Sequence, residues 1–183
     1  MSSRFSYFED NDITLTGVIH VGAHRGEEVN EYEDLGAKQV IWVEANPDVF
    51  EEMRVALTNA ESAIESHAFQ YAASTEDHAT VKFNRYYGPD AGYLRGNKGC
   101  SSLLKAEGRF EAWYKDTIEV ETITIDTLLE ENDFKVEDFQ LLNMDVQGAE
   151  LMVLKGSEKV LDNVRWVTTE ATWEDPDYID NVM

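Results

Sequence analysis

Three apolar runs in this sequence end in a carboxylate. Glu44 follows Val40 to Val43, Asp145 follows Phe139 to Met144, and Glu170 follows Val164 to Thr169. In an open α/β sheet, ligands bind at the carboxyl ends of the strands, so three acids placed there face one crevice. Such a carboxylate can accept hydrogen bonds from ribose hydroxyls, or stabilise a nearby ammonium or sulfonium group by charge. Ahead of Glu44 stands Gly22-Ala23-His24-Arg25-Gly26, closing the apolar run Val18 to Val21. Glycines at a strand end let a ligand approach the backbone. The helix that follows offers free N–H groups at its start. An acid about 20 residues beyond such a turn is placed to take a ribose.

These residues need a scaffold that brings strand ends together, and the chain supplies its pattern. Val18 to Val21 is short and apolar enough to be buried on both faces. Glu27 to Leu35 is predicted as the first helix, with Gly36 as its stop. Asn46-Pro47 opens the next helix as cap and first residue, and that helix runs to about Leu57. Ile64 to Tyr71 and Thr80 to Asn84 read as strands. The small residues Ala72-Ala73-Ser74 between them leave room for a flat ring. Ile118 to Ile125 alternates and is β-branched, so it reads as a strand, with Asp126 capping a helix over 127–131. Gln147 to Leu154 is helical and Gly156 closes it. Strands alternating with helices define an α/β chain with a doubly wound, mostly parallel sheet. His20, inside the first strand, reads as a buried neutral histidine held by a hydrogen bond. Residues 1–16 give no readable pattern.

The 183 residues suit a single domain with a sizeable core: a first half at 17–72, an insert at 82–115 and a second half at 117–170. No apolar run approaches the roughly 20 residues of a membrane span, and the N-terminus lacks a signal-peptide core. A single cysteine, Cys100, cannot form an internal disulfide. A cytoplasmic location without membrane association is the resulting expectation. The net charge of −22 disfavours nucleic acid as a partner. No histidine pair lies four apart on a predicted helix, so no metal site is expected, and no Gly-x-Ser-x-Gly elbow points to a serine hydrolase.

Residues 82–115 depart from the acidic background. They carry nearly half of the 15 basic residues, among them Arg95 and Lys98, interleaved with glycines and tyrosines. A loop of this length in a compact domain is usually functional or disordered. One reading is a lid that attracts an anionic or sugar-like small acceptor. The other is a surface loop whose charges offset nearby acids.

Several stretches resemble FkbM-type methyltransferases, a family of the S-adenosylmethionine-dependent, Rossmann-like class I fold. They are Val18-Ile19-His20-Val21-Gly22-Ala23-His24-Arg25-Gly26, Ile41-Trp42-Val43-Glu44-Ala45-Asn46-Pro47, Ser101-Ser102-Leu103 and Thr124-Ile125-Asp126-Thr127-Leu128-Leu129. The most specific is Leu142-Asn143-Met144-Asp145-Val146-Gln147-Gly148-Ala149-Glu150, followed by Val153-Leu154-Lys155-Gly156. The resemblance implies that S-adenosylmethionine is the cofactor. Gly22, Ala23, His24 and Gly26 would wrap its methionine end. Glu44 would hold the ribose, with Ala45, Asn46 and Ala72 near the adenine. Asp145 would face the methionine amino group and the transfer point. Asp145, His24 and Glu170 are the candidate catalytic bases, Asp145 first, and Ser101, Ser102, Lys98 and Arg95 are candidates for the acceptor side. The implied reaction is O-methylation of a sugar or other small hydroxyl acceptor.

There are two departures. His20 stands where such enzymes often carry an acid. The chain also ends soon after Glu170, without the usual C-terminal strand pair; the expectation is either a minimal version of the fold or an exposed edge strand that a homodimer would cover. A nicotinamide-dependent oxidoreductase and a non-catalytic module of the same fold are the alternatives. Ala23 in place of a middle glycine, together with the Asp145 motif, weighs against the oxidoreductase.

Overall fold

A computed structural model describes residues 5–88, 98–106, 108–169 and 178–179. In chain order its elements are α1 (Ser6–Asp10), β1 (Gly17–Val21), α2 (Val29–Asp34), β2 (Gln39–Val43), α3 (Pro47–Asn59), β3 (Glu65–Phe69), β4 (Ala72–Ala73) and β5 (Thr80–Tyr86). There follow β6 (Lys105–Ala106), β7 (Tyr114–Ile123), α4 (Ile125–Glu131), β8 (Leu141–Met144), α5 (Glu150–Lys155), α6 (Glu158–Leu161), β9 (Trp166–Thr169) and β10 (Tyr178–Ile179).

Five strands form the central sheet in the order β3-β2-β1-β8-β9, and every pairing in it is parallel. This is a Rossmann-like α/β arrangement in which the chain reverses direction across the sheet between β1 and β8, the kind of switch point where such folds open a crevice. A second, three-stranded sheet runs β4-β7-β5, with β7 parallel to β4 and antiparallel to β5. β10 pairs antiparallel with β6 and does not join the central sheet. Among the described residues the central sheet ends at β9. Among the described residues, too, no helix is long and apolar enough to cross a membrane.

Alternation along the central strands builds two cores. Val18, Val40, Trp42 and Leu141 face one side with Phe5, Phe8, Tyr32, Phe50 and Met53. Ile19, Val21, Ile41, Val43, Leu142 and Met144 face the other, with Ile123, Leu128 and Val153. Both faces are therefore covered, which is why these strands read as continuous apolar runs. The N-terminal segment, unreadable in sequence, contributes through its aromatics: Phe5 and Phe8 are buried.

A polar row crosses the first core. His20, Asn143 and Thr168 are neighbours in register across β1, β8 and β9. The Thr168 hydroxyl donates to Asn143 Oδ1 (2.6 Å), Asn143 Nδ2 donates to the Tyr32 hydroxyl (2.7 Å), and that hydroxyl meets His20 Nδ1 at 3.2 Å. A buried polar group costs little once its hydrogen bonds are made, and this row joins Thr168, Asn143, the Tyr32 hydroxyl on α2 and Nδ1 of His20.

Two local expectations are corrected. Asp126 does not cap α4, of which it is the second residue; the Thr124 hydroxyl does, accepting from Thr127 N at 3.1 Å. The Asp126 carboxylate instead accepts from Lys159 N (2.8 Å) and Val160 N (3.0 Å), capping α6 from a distance. Residues 82–115 are not one long loop. Lys82 and Arg85 lie on β5 and Lys115 on β7, because aromatic and β-branched residues at both ends extend that antiparallel ladder to Tyr86 and Tyr114.

Candidate functional site

At the carboxyl end of the central sheet lies a cavity of about 290 Å³, close to the lower end of the ~300–1,000 Å³ typical of small-molecule sites. Its walls come from the turn after β1, the ends of β2 and β8, the 71–73 segment, and residues 98–103 of the insert.

The turn after β1 is fixed by close approach. Gly22 has φ of 74°, and a Cβ there would overlap the Asp145 carbonyl oxygen, so the two strand-end loops touch backbone to backbone. Gly22 N and Ala23 N both donate to the Val43 carbonyl (2.9 and 3.0 Å), and Asp145 N donates to Val21 O (2.9 Å). Gly26 serves packing: with φ of 70°, a Cβ there would come within 2.9 Å of the Leu57 side chain on α3. His24 and Gln147, two cavity-lining residues, have positive φ (47° and 54°) without being glycines. Such conformations cost energy and tend to collect where ligands bind.

Glu44 is the buried acid at the centre. Its Oε2 accepts from His24 N at 2.9 Å and its Oε1 from Asn46 N at 2.7 Å, so one carboxylate ties the β1 turn to the β2 turn. Burial pushes its carboxyl up to about 7, against the pull of the Asn46 and His24 N–H groups and the His24 ring. A carboxylate has acceptor capacity beyond two such bonds, and Glu44 lines the cavity. Asn46 does not line the cavity. Its Oδ1 accepts from Asp48 N at 3.3 Å and caps α3, whose first residue is Pro47, as the sequence predicts.

His24 pairs through Nδ1 with Glu27 Oε1 at 2.7 Å, and the other Glu27 oxygen accepts from Arg25 N at 3.0 Å. Burial alone would lower the His24 imidazole, but the hydrogen bond and charge of Glu27, with the charge of Glu44, leave it raised. His24 Nε2 is buried and has no hydrogen-bond partner among the described residues.

Of the residues the sequence singled out, Gly22, Ala23, His24, Glu44, Ala45, Ala72, Asp145, Lys98 and Ser101 meet at this cavity. Gly26, Asn46 and Ser102 support it without lining it. Ser102 is buried and its hydroxyl reaches the Gln147 carbonyl (2.9 Å), so it clasps the insert to the loop after β8. The Ser101 hydroxyl is engaged with Lys98 O (2.9 Å) and Tyr86 N (3.2 Å). Asp145 Oδ1 accepts from Gln147 Nε2 at 2.6 Å. Glu150, the first residue of α5, accepts from Val146 N and Gly148 N (3.3 and 3.2 Å) and braces the same loop. Glu170 and Arg95 lie outside the described residues. Sequence reasoning gave no ligand-facing role to His20, Glu27, Glu28, Phe83, Cys100 or Gln147, all of which line the cavity. Gln147 sits inside the most specific motif, which was the available signal; Phe83 and Cys100 arrive only through tertiary contact.

The parallel sheet, its glycine turn and the acids at its strand ends define a Rossmann-like α/β protein of the methyltransferase type. Residues 20–183 match the family description "Methyltransferase FkbM domain", and the chain belongs to that family of methyltransferases. No curated protein matches the chain significantly in sequence.

Proposed function

We propose that the protein is an S-adenosylmethionine-dependent O-methyltransferase acting on a hydroxyl of a small acceptor, a sugar or an anionic compound. The observation that carries this reading is the buried Glu44 carboxylate, held by two backbone N–H groups at the cavity wall. Glu27, Glu28, Glu44 and Asp145 all line the cavity, a surface suited to a ligand bearing ammonium and sulfonium charge.

The cofactor supplies a methyl group on a positively charged sulfur that leaves with its electron pair as a neutral thioether. The chain's part is alignment and one proton. Glu44 accepts the ribose hydroxyls through its free lone pairs. Gly22, Ala23 and His24, which line the cavity, would hold the methionine end. Asp145, at the end of β8, takes the acceptor's hydroxyl proton as the oxygen–carbon bond forms. Most of the rate gain comes from holding oxygen, carbon and sulfur in line. His24 suits proton removal less well, since its raised pKa keeps it protonated further into the neutral range.

The test is a label-transfer assay with methyl-tritiated S-adenosylmethionine and a panel of neutral and acidic sugars. Transfer is expected to at least one acceptor and to fall by about 10²–10⁴-fold in Asp145→Asn, the span typical of a lost general base. Transfer undiminished in that variant would remove Asp145 from the role. Consumption of NAD with no methyl transfer would overturn the reaction class in favour of the oxidoreductase.

A further inference from the structure

One wall of the cavity is a short strap, residues 98–104, from which Lys98, Gly99, Cys100, Ser101 and Leu103 line the space. It is fastened on two sides. On one, Ser102 exchanges backbone hydrogen bonds with Asn84 on β5 (2.8 and 3.0 Å) and its hydroxyl reaches the carbonyl of Gln147. On the other, a carboxylate on α3 fastens it. Glu52 Oε1 accepts from Lys98 Nζ at 2.6 Å, and Glu52 Oε2 accepts from Arg25 Nε at 2.6 Å. Glu52 thus joins the strap to the glycine turn, two cavity walls that share no strand. The Lys98 ammonium, against the cost of burial and helped by Arg25, holds the Glu52 carboxyl below its usual range.

Asp48, one helical turn earlier on the same face of α3, works beside it. Its Oδ2 accepts from Arg85 Nη1 (2.9 Å) and from the Tyr87 hydroxyl (2.8 Å). The Tyr87 ring in turn lies 5.3 Å from Lys98 Nζ. The outer face of α3 is therefore a rail that receives the end of β5, the strap and the glycine turn. Exposed ion pairs are individually weak, but a carboxylate shared by two cations at short distance belongs to a network.

We propose that Glu52 is a positioning residue that latches the strap to the glycine turn and thereby sets how long the cofactor stays in the cavity. The cofactor half of this statement rests on the S-adenosylmethionine reading given above; the latch itself does not.

The test has two readouts. The first is hydrogen exchange on ligand-free wild type, Glu52→Gln, Lys98→Ala and the double variant, with Glu51→Gln as control. Glu51 faces outward and pairs only with Arg54 among the described residues. The reporters are the amides of Ser102 and Leu104, which donate to Asn84 O and to Ser102 Oγ. Both are expected to exchange about tenfold faster in Glu52→Gln. The double variant should be no faster than either single one, Glu51→Gln should match wild type, and residues 17–21 should stay protected in all. Unchanged exchange of the reporters in Glu52→Gln overturns the latch. The second readout is S-adenosylmethionine dissociation by stopped flow, expected to be about tenfold faster in Glu52→Gln at an unchanged association rate. Wild-type binding with dissociation unaltered in the variant overturns the positioning role alone. A wild type that does not bind S-adenosylmethionine overturns the cavity reading and the cofactor half with it, while the exchange result still decides the latch.

Discussion

Glu44 carries two duties on four lone pairs. Its two oxygens hold the backbone N–H groups of His24 and Asn46, and the residue lines the cavity. Because burial raises its carboxyl to about 7, a sizeable share is protonated at neutral pH. A protonated carboxyl has lost acceptor capacity, so ribose binding favours the ionised form. Affinity for S-adenosylmethionine is therefore expected to rise as pH increases through about 7 and to level off above it. An affinity flat from pH 6 to 8 by titration would contradict this role for Glu44. The stability linkage has the opposite sense. With the folded value above the ordinary 4.5, the contribution of this group is fully present below that ordinary value and is lost as pH rises through about 7. A ligand that prefers the ionised form offsets that loss.

At the scale of elements, the central strands and α3 were legible because their signals are local. Apolar runs bounded by glycine or an acid gave β1, β2, β8 and β9, and Asn46-Pro47 gave the start of α3. What escaped was anything decided by a distant partner. Asp126 resembles an N-cap in sequence, yet Thr124 caps α4 while Asp126 serves α6, over 30 residues away. Arg85 and Lys115 looked like loop charges because no pattern in the sequence shows that β5 and β7 pair beyond Asn84 and before Ile118. The site followed the same division: Glu44 and Asp145 are visible at strand ends, whereas Glu52 gains its contacts only when the insert folds back on α3.

Two substitutions test this packing. Ser102→Ala removes the hydroxyl that reaches Gln147 O and accepts from Leu104 N, leaving buried polar groups without it. Denaturant unfolding should show a loss of about 1–3 kcal/mol. Trp42, fully buried between strands and α2, should cost about 3–5 kcal/mol on truncation to alanine. A loss under about 1 kcal/mol in the latter would mean that the first core collapses around the void.

Across the whole molecule, the surplus of 37 acidic over 15 basic residues makes the folded state repel itself. Raising the salt from about 0.05 to 0.5 M should raise the melting temperature as those charges are screened. One acidic pair is put to use. His78 places Nδ1 at 2.7 Å from Glu121 on β7 and Nε2 at 2.9 Å from Glu131 on α4. Carboxylates at both nitrogens favour the imidazolium form and raise its pKa, Glu121 first and then Glu131. A raised histidine contributes stability below its unfolded value and loses it as pH climbs through the folded one. The melting-temperature difference between wild type and His78→Gln is thus expected to be largest below about pH 6.5 and to shrink towards alkaline pH. A difference that grows with pH would reverse the assignment.

The central claim is that the strand-end cavity holds S-adenosylmethionine through Glu44. It is tested most directly by calorimetric titration of wild type and Glu44→Ala with S-adenosylmethionine, with NAD as the control ligand. The account predicts binding of S-adenosylmethionine alone to wild type and loss of that binding in a variant that stays folded. Equal binding by both proteins, or a preference for NAD, would contradict it.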